Sequence, residues 1–256
     1  MNVNNSNSEF QNFSECDLTK HWSYSNYNRN LMMANIIKDL ADKRRYNLPN
    51  MILEIGAGDS PLEYMSVANF NTYCTEWIKI DGDAKRYKDD ASIKLFDIES
   101  KDFYNFIQTL RCKPNVVVMS EVIEHMSSKE SAKKVIENLY HVMEEESYLL
   151  LTTPTPPLDG IYEERVWPDD HEFEFTYDEI YDILNIYFKI EKKIGWSLEE
   201  REYNDLLKND EFIGKTYLNL KGLMPEGYIR SLISLLAYPE MNRQVLLVCR
   251  KRRVIL

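Results

Sequence analysis

Short apolar runs alternate with stretches of helical period along most of the chain. Ahead of the first run, Tyr27 to Tyr46 repeats Leu31, Ala34, Ile37, Leu40 and Ala41 at helical spacing and predicts a helix, ended by Asn47-Leu48-Pro49-Asn50. Met51–Ile55 closes on Gly56-Ala57-Gly58, which predicts a strand running into a turn, and Pro61 suits the first turn of a helix after it. Trp77–Asp81 and Ile93–Phe96 predict two further strands, the second followed at once by Asp97. Phe103 to Leu110 is helical. Asn115–Met119, with Val116-Val117-Val118, predicts a fully buried strand, Lys129 to Met143 an amphipathic helix, and Tyr148–Thr152 another buried strand. Tyr177–Tyr187 then predicts a helix, and Phe188–Ile194 and Gln244–Cys249 the last two strands.

Apolar strands alternating with helices imply an α/β fold, a doubly wound and mostly parallel seven-stranded sheet of Rossmann-like type, covered on both faces. From Gly195 to Arg243 lie about 50 residues, too many for a turn. Leu198–Lys208 and Tyr228–Tyr238 carry helical patterns, so a helical insertion, a lid or a partner surface, is expected before the last strand. Residues 1–26 are expected to be a disordered or lid-forming lead-in and residues 27–256 a single domain; His21, Trp22, Tyr24 and Tyr27 suit an aromatic lid over the pocket and core packing equally.

Composition narrows the class. With 256 residues, 44% hydrophobic and 29% charged, the chain resembles an ordinary soluble protein. No apolar run approaches the ~18 residues of a spanning helix, so no membrane partner is expected. The start has no basic and apolar signal segment. Cys16, Cys74, Cys112 and Cys249 are scattered with no Cys-x-x-Cys pair; this argues against structural zinc or a disulfide framework and for a cytoplasmic location. The net charge of −11 opposes broad nucleic-acid affinity but leaves room for local patches. Lys43-Arg44-Arg45 and Arg250-Lys251-Arg252-Arg253 are such runs, of a kind that is mostly solvated.

Glycines after a first strand let the backbone approach a ligand at the carboxyl end of an open sheet. Asp81, at the end of the second strand, suits acceptance from both hydroxyls of a ribose, and Asp97 acceptance from an adenine amino group. A dinucleotide site wants Gly-x-Gly-x-x-Gly, whereas the sixth position here is Pro61, which argues against a pyrophosphate ligand. The cofactor-binding candidates are Glu54, Gly56, Gly58, Asp81, Asp97 and Ser120. Taken alone, Gly-x-Gly also describes a turn with no ligand.

After the fourth strand comes Ser120-Glu121-Val122-Ile123-Glu124-His125-Met126. On a helix or tight turn, Glu121, Glu124 and His125 share one face. Converging carboxylates and an imidazole are costly unless a cation joins them; the alternative is a helix start with favourable acids. Asp169-Asp170-His171-Glu172-Phe173-Glu174-Phe175-Thr176 follows the loop after the fifth strand, with Thr176 and Glu179 forming a capping box. In a doubly wound fold this loop overhangs the same pocket, and His171 becomes a fourth ligand beside Glu121, Glu124 and His125. Such a set suits Mg²⁺ or Mn²⁺, with histidine favouring Mn²⁺.

The glycine turn with Asp81 and Asp97, the stretch Asn115–His125, and Tyr148–Pro154 together resemble the class I S-adenosylmethionine-dependent methyltransferases from about Asn50 to the C-terminus. That resemblance implies S-adenosylmethionine as cofactor. The Glu121-x-x-Glu124-His125 motif and the His171 segment resemble the RNA 3′-terminal 2′-O-methyltransferases of small RNAs, which implies a metal on Glu121, Glu124, His125 and His171. The expected reaction is in-line methyl transfer to a hydroxyl of a vicinal diol, with His125 or His171 taking the proton. The chain departs from that family at Thr153-Pro154-Thr155, where the family reads Thr-Pro-Asn, in lacking a Pro-Pro motif before Met51, and in its insertion. The ubiquinone-biosynthesis O-methyltransferases share Glu-x-x-Glu-His. Catechol or quinone-precursor, sugar and natural-product acceptors therefore stay open beside RNA, as does an inactive cofactor-binding partner subunit.

Overall fold

The apolar runs at Met51–Ile55, Val116–Ser120, Tyr148–Pro154 and Gln244–Lys251 become the central strands because they can bury both of their faces. The computed structural model describes residues 24–43, 51–70, 76–155, 171–198, 200–237 and 244–253. Up to the middle of the chain its elements are α1 (Tyr24–Lys43), β1 (Met51–Ile55), α2 (Leu62–Phe70), β2 (Glu76–Asp81), α3 (Ala84–Tyr87), β3 (Ile93–Leu95), α4 (Lys101–Thr109) and β4 (Val116–Ser120). A 3-10 turn (Ile123–His125) follows, then α5 (Lys129–Val142), β5 (Tyr148–Pro154), α6 (Tyr177–Tyr187) and β6 (Phe188–Ser197). The last part is α7 (Glu200–Asn209), α8 (Glu211–Leu220), α9 (Glu226–Ala237) and β7 (Gln244–Lys251). The strands form one seven-stranded sheet in the order β3-β2-β1-β4-β5-β7-β6. β1 to β5 pair in parallel, and β7 lies antiparallel between β5 and β6. This is the mostly parallel, doubly wound α/β architecture expected from the alternation.

Strand alternation divides the core between the two faces. Met51, Leu53 and Ile55 of β1, Val117 and Met119 of β4, and Leu149 and Leu151 of β5 pack with Phe103 and Ile107 of α4, Val135, Ile136 and Leu139 of α5, and Ile180 and Leu184 of α6. Ile52, Val116, Val118, Leu150, Leu246 and Val248 point the other way, onto Met33, Ile37 and Leu40 of α1 and Leu62 and Met65 of α2. Polar residues set where helices begin. Ser100 accepts from the Phe103 N–H, Ser128 from the Ser131 N–H, and Thr176 forms the predicted capping box with Glu179.

Among the described residues the insertion has three helices where the pattern predicted two. Leu198, Tyr203, Ile213, Ile229 and Ile233 give it a small core of its own, and α9 packs on β6 and α1. The sequence reading missed α8 because Gly214 interrupts its pattern. That glycine lets the two helices approach: a Cβ there would come within 2.9 Å of the Leu207 carbonyl oxygen in α7. The expected lead-in up to residue 23, Lys43-Arg44-Arg45 beyond Lys43, and Tyr238 lie outside the described residues. Among the described residues no helix is long and apolar enough to cross a membrane.

The same alternation moves one candidate. Glu54 sits between Leu53 and Ile55, so it shares the face of Ile52, behind the turn it precedes, rather than lying in the cofactor cleft as expected. Its side chain is buried, and Oε2 accepts from the Trp77 indole N–H at 2.8 Å. Burial pushes its carboxyl up from 4.5 to about 7, against the opposing pull of hydrogen bonds from Ser60 and Trp77. The folded chain then holds a proton over this interval that the unfolded chain has released. The contribution of Glu54 to stability is full below 4.5 and is lost as pH rises through about 7. Glu54→Gln keeps an oxygen for Trp77 and cannot ionise. Urea unfolding across this range, followed by tryptophan fluorescence, should show the native protein losing up to about 1.4 kcal/mol per pH unit relative to Glu54→Gln. A difference that stays constant with pH would return Glu54 to an ordinary carboxylate.

Candidate functional site

The parallel register of β1 with β4 sets two turns side by side at the carboxyl edge of the sheet, with Ile55 opposite Met119. The first turn contains Gly56 (φ 65°) and Gly58 (φ 47°), in the left-handed region open to glycine. A Cβ on Gly56 would lie 2.2 Å from Val122 Cγ2 in the second turn, so the two turns can meet only because the side chain is missing. The Gly58 N–H donates to Asp81 Oδ2 at 2.9 Å and the Asp83 N–H to Asp81 Oδ1 at 2.8 Å. Two backbone donors thereby fix the Asp81 carboxylate beside the glycine turn and leave lone pairs for a ligand. Asp97 Oδ1 accepts from the Glu99 N–H at 2.9 Å, and Phe96 stacks on Phe106 at 4.7 Å between centroids. A cleft of about 530 Å³ runs between these turns, with Gly56, Asp81, Phe96, Asp97, Glu121 and His125 among its walls. Ser120, expected at the cofactor, instead directs its hydroxyl to Thr152 Oγ1 at 2.9 Å, on the face that carries Val116 and Val118.

Beyond Ser120 the expected four-ligand set divides. The sequence reading placed Glu121, Glu124 and His125 on one helical face. The helical part is only the 3-10 turn Ile123–His125, and Glu121 precedes it with φ 53°. This left-handed backbone turns the Glu121 carboxylate back to β5, where Oε1 accepts from Thr152 Oγ1 at 2.8 Å. Gln244 Nε2 donates to Oε2 at 3.4 Å, and Arg29 Nη1 stands 3.5 Å from Oε1. Glu121 therefore lines the cleft but lies outside the cluster that the other three form.

Glu124, His125 and His171 each bring one ligand atom to within 4.8 Å of the others. The Glu172 N–H donates to the Glu124 carbonyl at 3.1 Å, which docks the segment after β5 onto the 3-10 turn. As a result the His125 and His171 rings meet edge to face, 4.8 Å apart. Glu124 is fully buried; Oε2 accepts from Thr153 Oγ1 at 3.2 Å and Oε1 has no hydrogen-bond partner. Burial first, and then the neighbouring charge of Glu121, raises the Glu124 carboxyl well above its ordinary value. An orphaned buried carboxylate oxygen beside two imidazoles is the donor set a divalent cation would complete, since a nearby cation reverses the penalty of keeping the carboxylate ionised. One oxygen and two nitrogens suit Mn²⁺ better than Mg²⁺, which prefers oxygen donors. Glu174 Oε1, buried, lies 3.4 Å from His171 Nδ1, the position of an outer carboxylate that orients a ligating histidine and leaves Nε2 for the ion.

Sequence reasoning missed Val122, Phe96 and Arg29. Val122 and Phe96 read as ordinary apolar positions, and Arg29 lies on the polar flank of a helix far upstream, so none carries a local signal. The C-terminal basic run is structural: Arg250 and Arg253 pair with Glu146, Lys251 Nζ donates to the Met143 carbonyl at 2.9 Å, and Arg252 Nε to the Phe188 carbonyl at 2.9 Å.

No protein-family model matches the chain, and no curated protein matches it in sequence. Solved structures do match. A SAM-dependent methyltransferase from Archaeoglobus fulgidus superposes with a TM-score of 0.50 at 18% identity, over 86% of this chain and 94% of its own. The plantazolicin methyltransferase BamL, solved with SAH, gives 0.52 at 13% identity over 88% and 85%. The small RNA methyltransferase HEN1 gives 0.51 at 12% identity, over 86% of this chain and 25% of its own. The chain has the fold of the SAM-dependent methyltransferases.

Proposed function

We propose that the chain is an S-adenosylmethionine-dependent methyltransferase that methylates one hydroxyl of a vicinal diol with the help of a divalent cation. The observation that carries this reading is the convergence of Glu124, His125 and His171, of which His125 also lines the cleft that holds Asp81 and the glycine turn. In this reading the remaining lone pairs of Asp81 take the ribose hydroxyls of the cofactor, Asp97 takes the adenine amino group, and Gly56 and Gly58 let the backbone approach. The cofactor's methyl carbon leaves the sulfonium sulfur, which keeps the bonding pair, and joins the acceptor oxygen. A cation held among Glu124, His125 and His171 would supply Lewis-acid polarisation of the acceptor hydroxyl. A histidine that holds the cation has no lone pair left for a proton. The hydroxyl proton therefore passes to water unless His125, the more exposed of the two histidines, is not bound to the cation and takes it, while His171 is steadied by Glu174.

The favoured acceptor is the 2′-hydroxyl of an RNA 3′-terminal ribose. Its paired hydroxyls can chelate one cation, and the context of His171 resembles that of the small-RNA enzymes. The net charge of −11 favours a second acceptor class, a catechol or a sugar diol.

Asp81→Ala should weaken S-adenosylmethionine binding roughly tenfold to a hundredfold, because a charge-assisted hydrogen bond is worth ~1.5–3 kcal/mol. Unchanged affinity by calorimetry in a folded variant would remove Asp81 from the cofactor site. Chelation should abolish turnover and Mn²⁺ or Mg²⁺ restore it, with Glu124→Ala and His171→Ala losing metal binding while cofactor binding persists. Full activity in excess chelator would overturn the metal reading. The acceptor is tested in one Mn²⁺ assay on an RNA, the same RNA ending in a 2′-deoxy or 3′-phosphate nucleotide, a catechol and a nucleotide-linked sugar. Methylation of the intact 3′ end alone, with the product resistant to periodate, is the expected result. Activity on the catechol or sugar alone would keep the mechanism and discard RNA.

A further inference from the structure

The proposed reaction leaves Arg29 without a task. It lies near the start of α1, far from the other site residues in sequence, with 13% of its side chain exposed. Its Nη1 is 3.5 Å from Glu121 Oε1, a loose ion pair, and its Nε is buried with no hydrogen-bond partner. Glu121 has other donors, since Thr152 Oγ1 reaches it at 2.8 Å and Gln244 Nε2 at 3.4 Å. Next to Arg29, Asn28 is also buried with Nδ2 unpartnered. A guanidinium presents five donors in a planar fork that matches the paired oxygens of a phosphate or carboxylate. Withdrawing one from water with so few partners is unfavourable unless a ligand completes it.

We propose that Arg29 is a specificity-determining residue that receives an anionic oxygen, of a phosphate or carboxylate, carried by the methyl acceptor beside its reacting diol. The inference rests on the reading of this cleft as a methyl-transfer site and adds a charge requirement to its acceptor. A cationic acceptor would be repelled by the guanidinium, and a neutral one would leave the fork unfilled. An anion satisfies the fork and is compatible with a cation on Glu124, His125 and His171. In the RNA reading the anion is the last phosphodiester; in the small-molecule reading it is an acid group on the same molecule as the diol.

The test is binding, so it stays readable if turnover fails. Calorimetry on protein loaded with S-adenosylhomocysteine and Mn²⁺, which keeps nucleotides out of the cofactor cleft, compares adenosine with adenosine 5′-monophosphate and catechol with dihydroxybenzoate. In at least one pair the anionic member should bind about tenfold more tightly or better. Arg29→Met should shrink that gap to about twofold or less, and Arg29→Lys, which keeps the charge but not the fork, should keep part of it. Retained S-adenosylhomocysteine binding certifies that each variant is folded. If Arg29→Met does not fold, the native pairs and Arg29→Lys carry the test. A gap in the nucleotide pair alone identifies phosphate, and one in the benzoate pair alone identifies carboxylate. Equal affinities within both pairs, or a gap that survives Arg29→Met, would overturn the proposal. Loss of methyl transfer with these gaps intact would instead overturn the reading of the reaction.

Discussion

Val122 occupies the space that a side chain on Gly56 would fill, and the two halves of the cleft meet there. The register of β1 with β4 brings the two turns to the same height, and the missing Cβ lets them touch. On one side of this contact lie the glycine turn, Asp81 and Asp97; on the other lie Glu121 and His125. Any side chain larger than glycine's would meet both a positive φ and a 2.2 Å approach, so the backbone itself holds the two turns together.

The polar groups at this edge are kept in place mainly by the backbone and by hydroxyls. Asp81 is fixed by two N–H donors, and Glu121 by Thr152 through both its N–H and its carboxylate. His171 reaches the cluster because the Glu172 N–H ties its segment to the 3-10 turn. Such anchoring leaves ligand-facing lone pairs open, as preorganised sites require. Glu124 Oε1 is the clearest case: the fold buries it and offers it nothing.

The reversed strand β7 brings the insertion to the same edge. β6 ends at Ser197 and β7 begins at Gln244, and these residues pair across the sheet, so the insertion leaves and rejoins the fold at one point. Gln244 also donates to Glu121, which connects that point with the cleft. The helices α7 to α9, with their own small core, are thus rooted beside the site, and α9 packs on β6 and α1.

The strands, their order of appearance and the parallel fold class were legible in the sequence, because a run buried on both faces must be apolar throughout and a turn at its end shows as glycine or an acid. Gly56, Gly58, Asp81, Asp97 and the Glu124-His125 pair could be picked out as candidates in the same way, each lying at or shortly after the end of a strand. What the sequence could not supply was direction. Glu54 has the composition of a cofactor ligand, yet strand alternation sends it to the far face. Glu121 has helical spacing to His125, yet a left-handed φ turns it to Thr152. Arg29 reaches Glu121, a wall of the cleft, across a distance in sequence that no local pattern spans. Those outcomes depend on single backbone angles and on which face of the sheet a helix covers, and both are settled only when the whole chain packs.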